Sequence, residues 1–421
     1  MPINSTHPSY STDASDFTSD AYNGKVHKYV KKLQLQSQAD YEAYISRSSY
    51  FNVIKRTTDA LIGAMLRKPY LTNLENIQVS DGMSFDTMLS YALRDIFLTS
   101  RVGILVDFDE SLGSPVMVPY NNNAITNWGD DFVVLAEDYY EVDPEDKYNK
   151  VIACQYRELT LIDGVYTVNI WRKTSSNRQK EEWFIFDTVV PTVRGRALDY
   201  IPFVFINDRD TTCECRSPIM YNMAELNVGH FRTMADVEQC AHFLALPQPY
   251  MTKGFVDSEI TSAYIGSPNI WVLEEGASVG YLEFSGQGFN SLMALATKKE
   301  EQMATLGAKF VAKAGVESAE ALRLRTAGES ATLVSMINAL EQGIQMACRF
   351  YAEWLGMDPD RITFEMSRDF TNVAASPQEI DTLARLLSSG QISQETFLQR
   401  LYEGEVVDDV KQEMERLGSE A

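Results

Sequence analysis

The chain has 421 residues, 45% of them hydrophobic and 23% charged, a balance that supports a sizeable core, suggests two to four structural regions and excludes a globally disordered protein. Asp and Glu total 59 against 37 Lys and Arg, giving a net charge of −22. Phosphate would be repelled by such a chain, so a general electrostatic grip on nucleic acid is excluded, whereas a surface past which DNA slides without sticking is not.

The five cysteines are few and odd in number, so no disulfide framework is implied and a reducing compartment fits. Residues 1–20 lack the basic start and apolar run of a signal peptide. No apolar stretch approaches the ~18 residues of a membrane span. Synthesis and assembly in the cytosol are expected.

In chain order, residues 1–25 are rich in Ser, Thr, Asp and Asn and read as a flexible N-terminal arm or a strap onto a neighbour. Apolar positions from Tyr44 to Met65 predict one helix over about 41–67, ended by Pro69. A second helix is predicted over 84–99, with Phe85, Met88, Leu89, Ala92, Leu93, Ile96 and Phe97 in one stripe. Residues 102–206 change character. Seven β-rich runs, at 102–108, 115–120, 132–137, 151–159, 165–172, 182–190 and 201–206, are separated by Gly, Asn, Asp and Ser clusters. Such spacing without intervening helices predicts a largely antiparallel sheet region.

Helix returns after Ser217-Pro218, with an apolar face from Ile219 to Leu244, and stops at Leu246-Pro247. Residues 249–286 read as short extended pieces forming a hairpin-like protrusion around Glu274-Glu275-Gly276. A long helix is predicted over 291–313, capped by Asn290 or Ser291. Its apolar face runs from Phe289 to Phe310, and Lys298, Lys299, Glu301, Gln302, Thr305 and Lys309 line the other side. Residues 314–328 read as a loop or broken helix, and a further helix is predicted over 329–355. The box Ser376-Pro377-Gln378-Glu379 opens a helix that Gly390 stops, and Ser393 caps a last short one. The final 21 residues hold seven acids and two bases and read as a solvated tail or rim.

Candidate chemistry is sparse. Asp107, Asp109 and Glu110 follow a strand and could hold a metal or serve as acid and base. The plainer reading is a strand-end loop that favours short acids. Cys213-Glu214-Cys215 is half of a zinc site, with His230 and Cys240 in another helix as the only nearby ligands, against a loop carrying two free thiols. Gly286-Gln287-Gly288 precedes a helix but lacks the Lys and the spacing of a phosphate loop. No nucleophile motif accompanies any of the four histidines. Lys298, Lys299, Lys309, Lys313, Arg323 and Arg325 form the one notable positive set, either a solvated helix face or a local phosphate contact.

The stretches 41–69, 201–208 with 217–238, 271–310 (WVLEEGASVGYLEFSGQGFNSLMALATKKEEQMATLGAKF) and 388–401, in that order, resemble tailed-phage portal proteins, in particular a DUF4055-like portal family of HK97-type fold. The resemblance spans roughly residues 40–403 and rests on the ordered set. It implies an α+β fold with an α/β wing (26–216), a stem and small β clip (217–312, clip near 264–287), a tunnel-loop connection (313–330) and a helical crown (331–421). It implies a virion subunit without enzymatic activity or cofactor, repeated in a homo-oligomeric ring, usually of twelve, at one capsid vertex. The implied partners are the terminase large subunit, a head-tail adaptor, the major capsid protein and passing double-stranded DNA, with no membrane. The six basic residues above would face the channel. Trp271, Glu274, Glu275 and Tyr281 would face the connector. The alternatives are a head-tail adaptor or minor capsid protein, and a metal-dependent hydrolase built on Asp107, Asp109 and Glu110.

Overall fold

The computed structural model describes residues 2–142, 148, 150–173, 182–245, 248–252, 276, 278–282, 287–311, 319–368 and 377–403, and positions 406, 407, 410, 413, 414 and 416. It is an α+β chain in two units, Met1–Met366 and Ser367–Ala421.

The first unit begins with helix α1 (Asp13–Tyr22), which buries Ser15, Thr18, Ala21 and Tyr22. The expectation of a flexible arm is corrected here. Small and hydroxylated side chains let α1 approach closely, and it packs on helices α4 and α5, introduced below. The expected helix over 41–67 is two helices, α2 (Gln38–Arg47) and α3 (Val53–Met65). The break has a local cause. Ser48 is extended after α2, and the Asn52 side chain accepts from the Lys55 N–H, capping α3 where a helix interior was expected. Strand β1 (Leu71–Thr72) leads to α4 (Phe85–Thr99), whose N-cap Ser84 accepts from the Thr87 N–H. Ser100 adopts the left-handed conformation (φ 71°) and turns the chain directly into β2.

Strands β2 (Arg101–Asp109), β3 (Ser114–Asn121), β4 (Ile125–Trp128), β5 (Phe132–Val142), β6 (Lys150–Ile162), β7 (Val165–Lys173) and β8 (Trp183–Val189) follow. A small hairpin, β9 (Thr192–Val193) with β10 (Arg196–Ala197), precedes β11 (Phe203–Asn207). All pairings between these strands are antiparallel, but they form two main sheets where one region was expected: β11-β2-β3 and β4-β5-β6-β7-β8. Leu105, Tyr120, Ile125, Trp128, Leu135, Leu159, Tyr166, Val168 and Phe203 meet between them as one buried cluster.

Helix α5 (Tyr221–Ala245) leads to a β-hairpin of β12 (Gln248–Thr252) and β13 (Ser278–Leu282), then to α6 (Gln287–Val311) and α7 (Ala319–Leu355). Two expectations are corrected. Residues 319–328 are helical and continuous with the rest of α7, because Ala, Leu, Glu and Arg there are strong helix formers that outweigh the single Gly328. The expected crown cannot begin at residue 331, because the C-terminal half of α7 lies across β11, β2 and β3 inside the first unit. Leu333, Met336, Ile337, Leu340, Ile344, Ala347 and Tyr351 are buried there. Beyond α7, β14 (Phe364–Glu365) pairs with β1 and closes the unit.

Gly343 marks the contact between α7 and the sheet. A Cβ added there would lie 2.4 Å from Ile206 Cγ1. Gly103 in β2 makes room inside the sheet region instead, since a Cβ would lie 2.1 Å from Cζ of Phe203 in β11.

The second unit holds α8 (Pro377–Ser388) and α9 (Gln394–Glu403), which pack on each other. As the sequence predicts, Pro377 opens α8, Gly390 turns left-handed after it, and Ser393 Oγ accepts from the Thr396 N–H to cap α9. Ser376 lies outside the described residues.

Gly343→Ala gains up to about 1 kcal/mol of helix propensity but forces a clash whose cost is about 1–3 kcal/mol. A net loss of stability is therefore expected. It would be read as a lower denaturant midpoint at unchanged slope.

Candidate functional site

The strongest grouping of functional expectations falls on α5 and α6. The α6 face toward α5 carries buried Ala296 and Met303 with partly buried Leu292, Lys299 and Leu306. Its exposed side carries Lys298, Glu301, Gln302 and Thr305, with Met293 and Leu295 also exposed. The predicted polar face is therefore present, except that Lys299 turns to α5 and Met293 turns to solvent.

Lys299 Nζ donates to the Gly229 carbonyl at 2.7 Å and to Thr233 Oγ1 at 2.7 Å. Burial pushes its amine below the usual lysine range, with the neighbouring Arg232 charge adding to the effect. One turn of α5 is thus clamped to α6 by a cation that spends two of its three donors on the chain itself. Beside it, the buried His230 places Nε2 3.0 Å from Glu300 Oε1. The two contacts hold the helices in one register.

Asn227, also on α5 and fully buried, fixes the start of α3. Its Oδ1 accepts from Tyr50 Oη, the Val53 N–H and the Ile54 N–H, and its Nδ2 donates to the Phe51 carbonyl. These bonds satisfy the orphan amides at the helix start. Sequence reasoning passed over Asn227. Its signal was an amide inside the otherwise apolar stripe from Ile219 to Leu244.

The remaining expected positions scatter. Lys309, Arg323 and Arg325 lie on helical backbone, Lys309 in α6 and the arginines in α7. Tyr281 lies in β13 opposite Pro249. Lys313, Trp271, Glu274, Glu275 and Gly286 fall outside the described residues. Gln287 and Gly288 sit in the first turn of α6, which starts earlier than the expected Asn290 or Ser291 cap.

Asp107 and Asp109, at the end of β2, have structural partners. Asp107 accepts from Arg157 Nη1 at 2.7 Å, and Arg157 Nε donates to Glu137, which also accepts from Tyr120 Oη at 2.5 Å. Burial alone would weaken the Arg157 guanidinium as a cation, but Glu137, Tyr120 and Asp107 outweigh it and raise its pKa. Asp109 accepts from the Ser111 hydroxyl and from the Ser111 and Leu112 N–H groups, which hold its carboxyl below the usual range. Arg101 is buried and pins the cysteine loop. Nε donates to Asn122 Oδ1 at 3.0 Å, Nη1 donates to the Cys213 carbonyl at 2.7 Å, and the guanidinium stacks over Trp128. Among the described residues no group of three or more His, Cys, Asp or Glu could hold a metal ion, and no helix is long and apolar enough to cross a membrane.

Residues 219–355, from α5 to the end of α7, match the family described as domain of unknown function DUF4055. No curated protein matches the chain. Among solved structures, a chain from the neck of an empty gene transfer agent (GTA) particle, computed with C6 symmetry, is 14% identical at a TM-score of 0.43, covering 83% of this chain and 89% of that one. A chain from the virion of a native GTA particle is 12% identical at 0.43, covering 90% and 98%. An HK97 family phage portal protein from Corynebacterium diphtheriae is 9% identical at 0.34, covering 80% and 97%.

Lys299→Met removes a doubly bonded cation and is expected to lower stability by roughly 1–3 kcal/mol. Lys298→Ala, on the exposed face, should stay within about 0.5 kcal/mol. Equilibrium unfolding of the two variants checks the contrast.

Proposed function

We propose that this chain is a non-enzymatic portal subunit, one copy in a dodecameric ring at a capsid vertex, through which DNA is packaged and ejected. The observation that carries the reading is the passage from α5 through the β12–β13 hairpin to α6 and α7. It lies largely within the matched segment 219–355 and resembles the stem, clip and return of portal subunits. In this reading α5 and α6 form the stem, the hairpin region forms the clip, the sheets of residues 101–207 form the wing, and α8 and α9 contribute a crown.

The physics supports it in two ways. The Lys299 and Glu300 contacts make α5 and α6 one rigid two-helix strut, suited to lining a passage. The net charge of −22 per copy accumulates around a ring and keeps DNA from adhering to the wall. Within that acidic field Lys298, with Lys309, Lys313, Arg323 and Arg325, would offer local phosphate contacts. Lys299 is withdrawn from that set because its amine is tied to α5. Trp271, Glu274, Glu275 and Tyr281 would meet the head-tail connector, and the terminase large subunit would dock on the assembled ring. Assembly would take place in the host cytoplasm, next to the major capsid protein.

The hydrolase alternative loses support because Asp107 and Asp109 are engaged as an ion-pair acceptor and a turn cap. A different virion component, such as a head-tail adaptor, would share the fold class but would not bind the packaging motor. Negative-stain imaging of the purified chain should show closed rings, and a pull-down should retain a terminase large subunit. A strictly monomeric chain at all concentrations would overturn the ring. Rings that ignore terminase would favour the adaptor.

A further inference from the structure

The five-stranded sheet treats its two edges differently. At the β4 edge, the His7 N–H donates to the Thr126 carbonyl at 3.0 Å, Asn127 Nδ2 donates to the Ser5 carbonyl at 3.0 Å, and the His7 ring stacks on Trp128. The chain covers that edge with its own N-terminal residues. At the β8 edge, no strand among the described residues pairs on the outer side, and every residue of β8 after Trp183 is exposed.

Natural edge strands are usually blunted by charge, proline or a cover, because bare backbone and apolar side chains recruit another chain. The β8 sequence WFIFDTV carries one charge, Asp187. Phe184, Ile185, Phe186 and Val189 are 43%, 46%, 53% and 45% exposed. Register places Ile185 opposite Trp171, on the same face as Ile152 and Tyr140, which are 62% and 69% exposed. On the other face, Arg172 lies over the rings of Tyr139 and Phe186, at 4.2 and 3.8 Å to their centroids. A planar cation stacked among aromatics is the side-chain mix enriched at protein interfaces.

We propose that this margin is a subunit interface, with β8 and the apolar residues flanking it packing against a second copy of this chain. Area selects the occupant. The six apolar side chains leave on the order of 600 Å² exposed, divided between the two faces of the sheet, both of which a partner docked along the edge can cover. Together with the edge backbone this approaches the about 800 Å² that one partner contributes to a standard interface. A copy meeting β8 with a different part of its own surface gives a head-to-tail contact, the kind that closes rings. The inference rests on the ring reading and adds to it the surface through which neighbours touch.

Ile185→Lys and Val189→Lys, made separately in the full chain, place a charge on an already exposed edge and should leave the thermal melt unchanged. Light scattering over a concentration series should then show that each variant needs at least about tenfold more protein to assemble, as expected for loss of one interface hot spot. Wild-type rings with both variants assembling at the wild-type concentration would sink the interface and leave the ring standing. Wild-type protein that never assembles would sink both. Should the variants fail to fold, hydrogen exchange on wild-type protein decides: β8 amides protected on assembly support the interface, and β8 amides exchanging equally in monomer and assembly overturn it.

Discussion

The structure depends on one close approach, the seating of α7 across the three-stranded sheet. Gly343 lets the helix descend onto Ile206, and the apolar stripe from Leu333 to Tyr351 then seals the sheet face. That contact fixes where α7 ends, and so where β14 returns to pair with β1. It also anchors one end of the helical segment that begins at α5. Without it the buried stripe of α7 and the face of the three-stranded sheet beneath it would both lose their cover.

Much of this was legible in the sequence, for identifiable reasons. The strand runs between residues 102 and 206 announced themselves because β-branched and aromatic clusters alternate with turn residues, and all seven became strands. The stripes of α4 and α5 were visible because burial repeats at helical spacing. What escaped was decided by tertiary contact. Residues 13–22 look like a polar arm, yet Ser15, Thr18 and Ala21 are small enough to let a helix lie flat on its neighbours. Residues 319–328 look like a loop until the helix to which they belong is counted whole. The separation of the strands into two sheets follows from which edges face each other, and no local pattern carries that.

The functional positions divide along the same line. Helical spacing placed Lys298 and Lys299 on one polar side, but a single step around α6 sends one lysine to solvent and the other into hydrogen bonds with α5. Asn227 was invisible as a working residue because its value lies in three donors and one acceptor supplied from residues 50–54. The acids at the end of β2 read as possible chemistry because the sequence does not show Arg157 arriving from another strand to meet Asp107.

The seal over β4 has a consequence for handling the protein. Ser5 and His7 act as a cap on one margin of the sheet, so shortening the chain from its N-terminal side does more than trim a tail. Such a shortened subunit would be adhesive at opposite margins. Stacking margin to margin then becomes available, which grows open fibres and competes with closure.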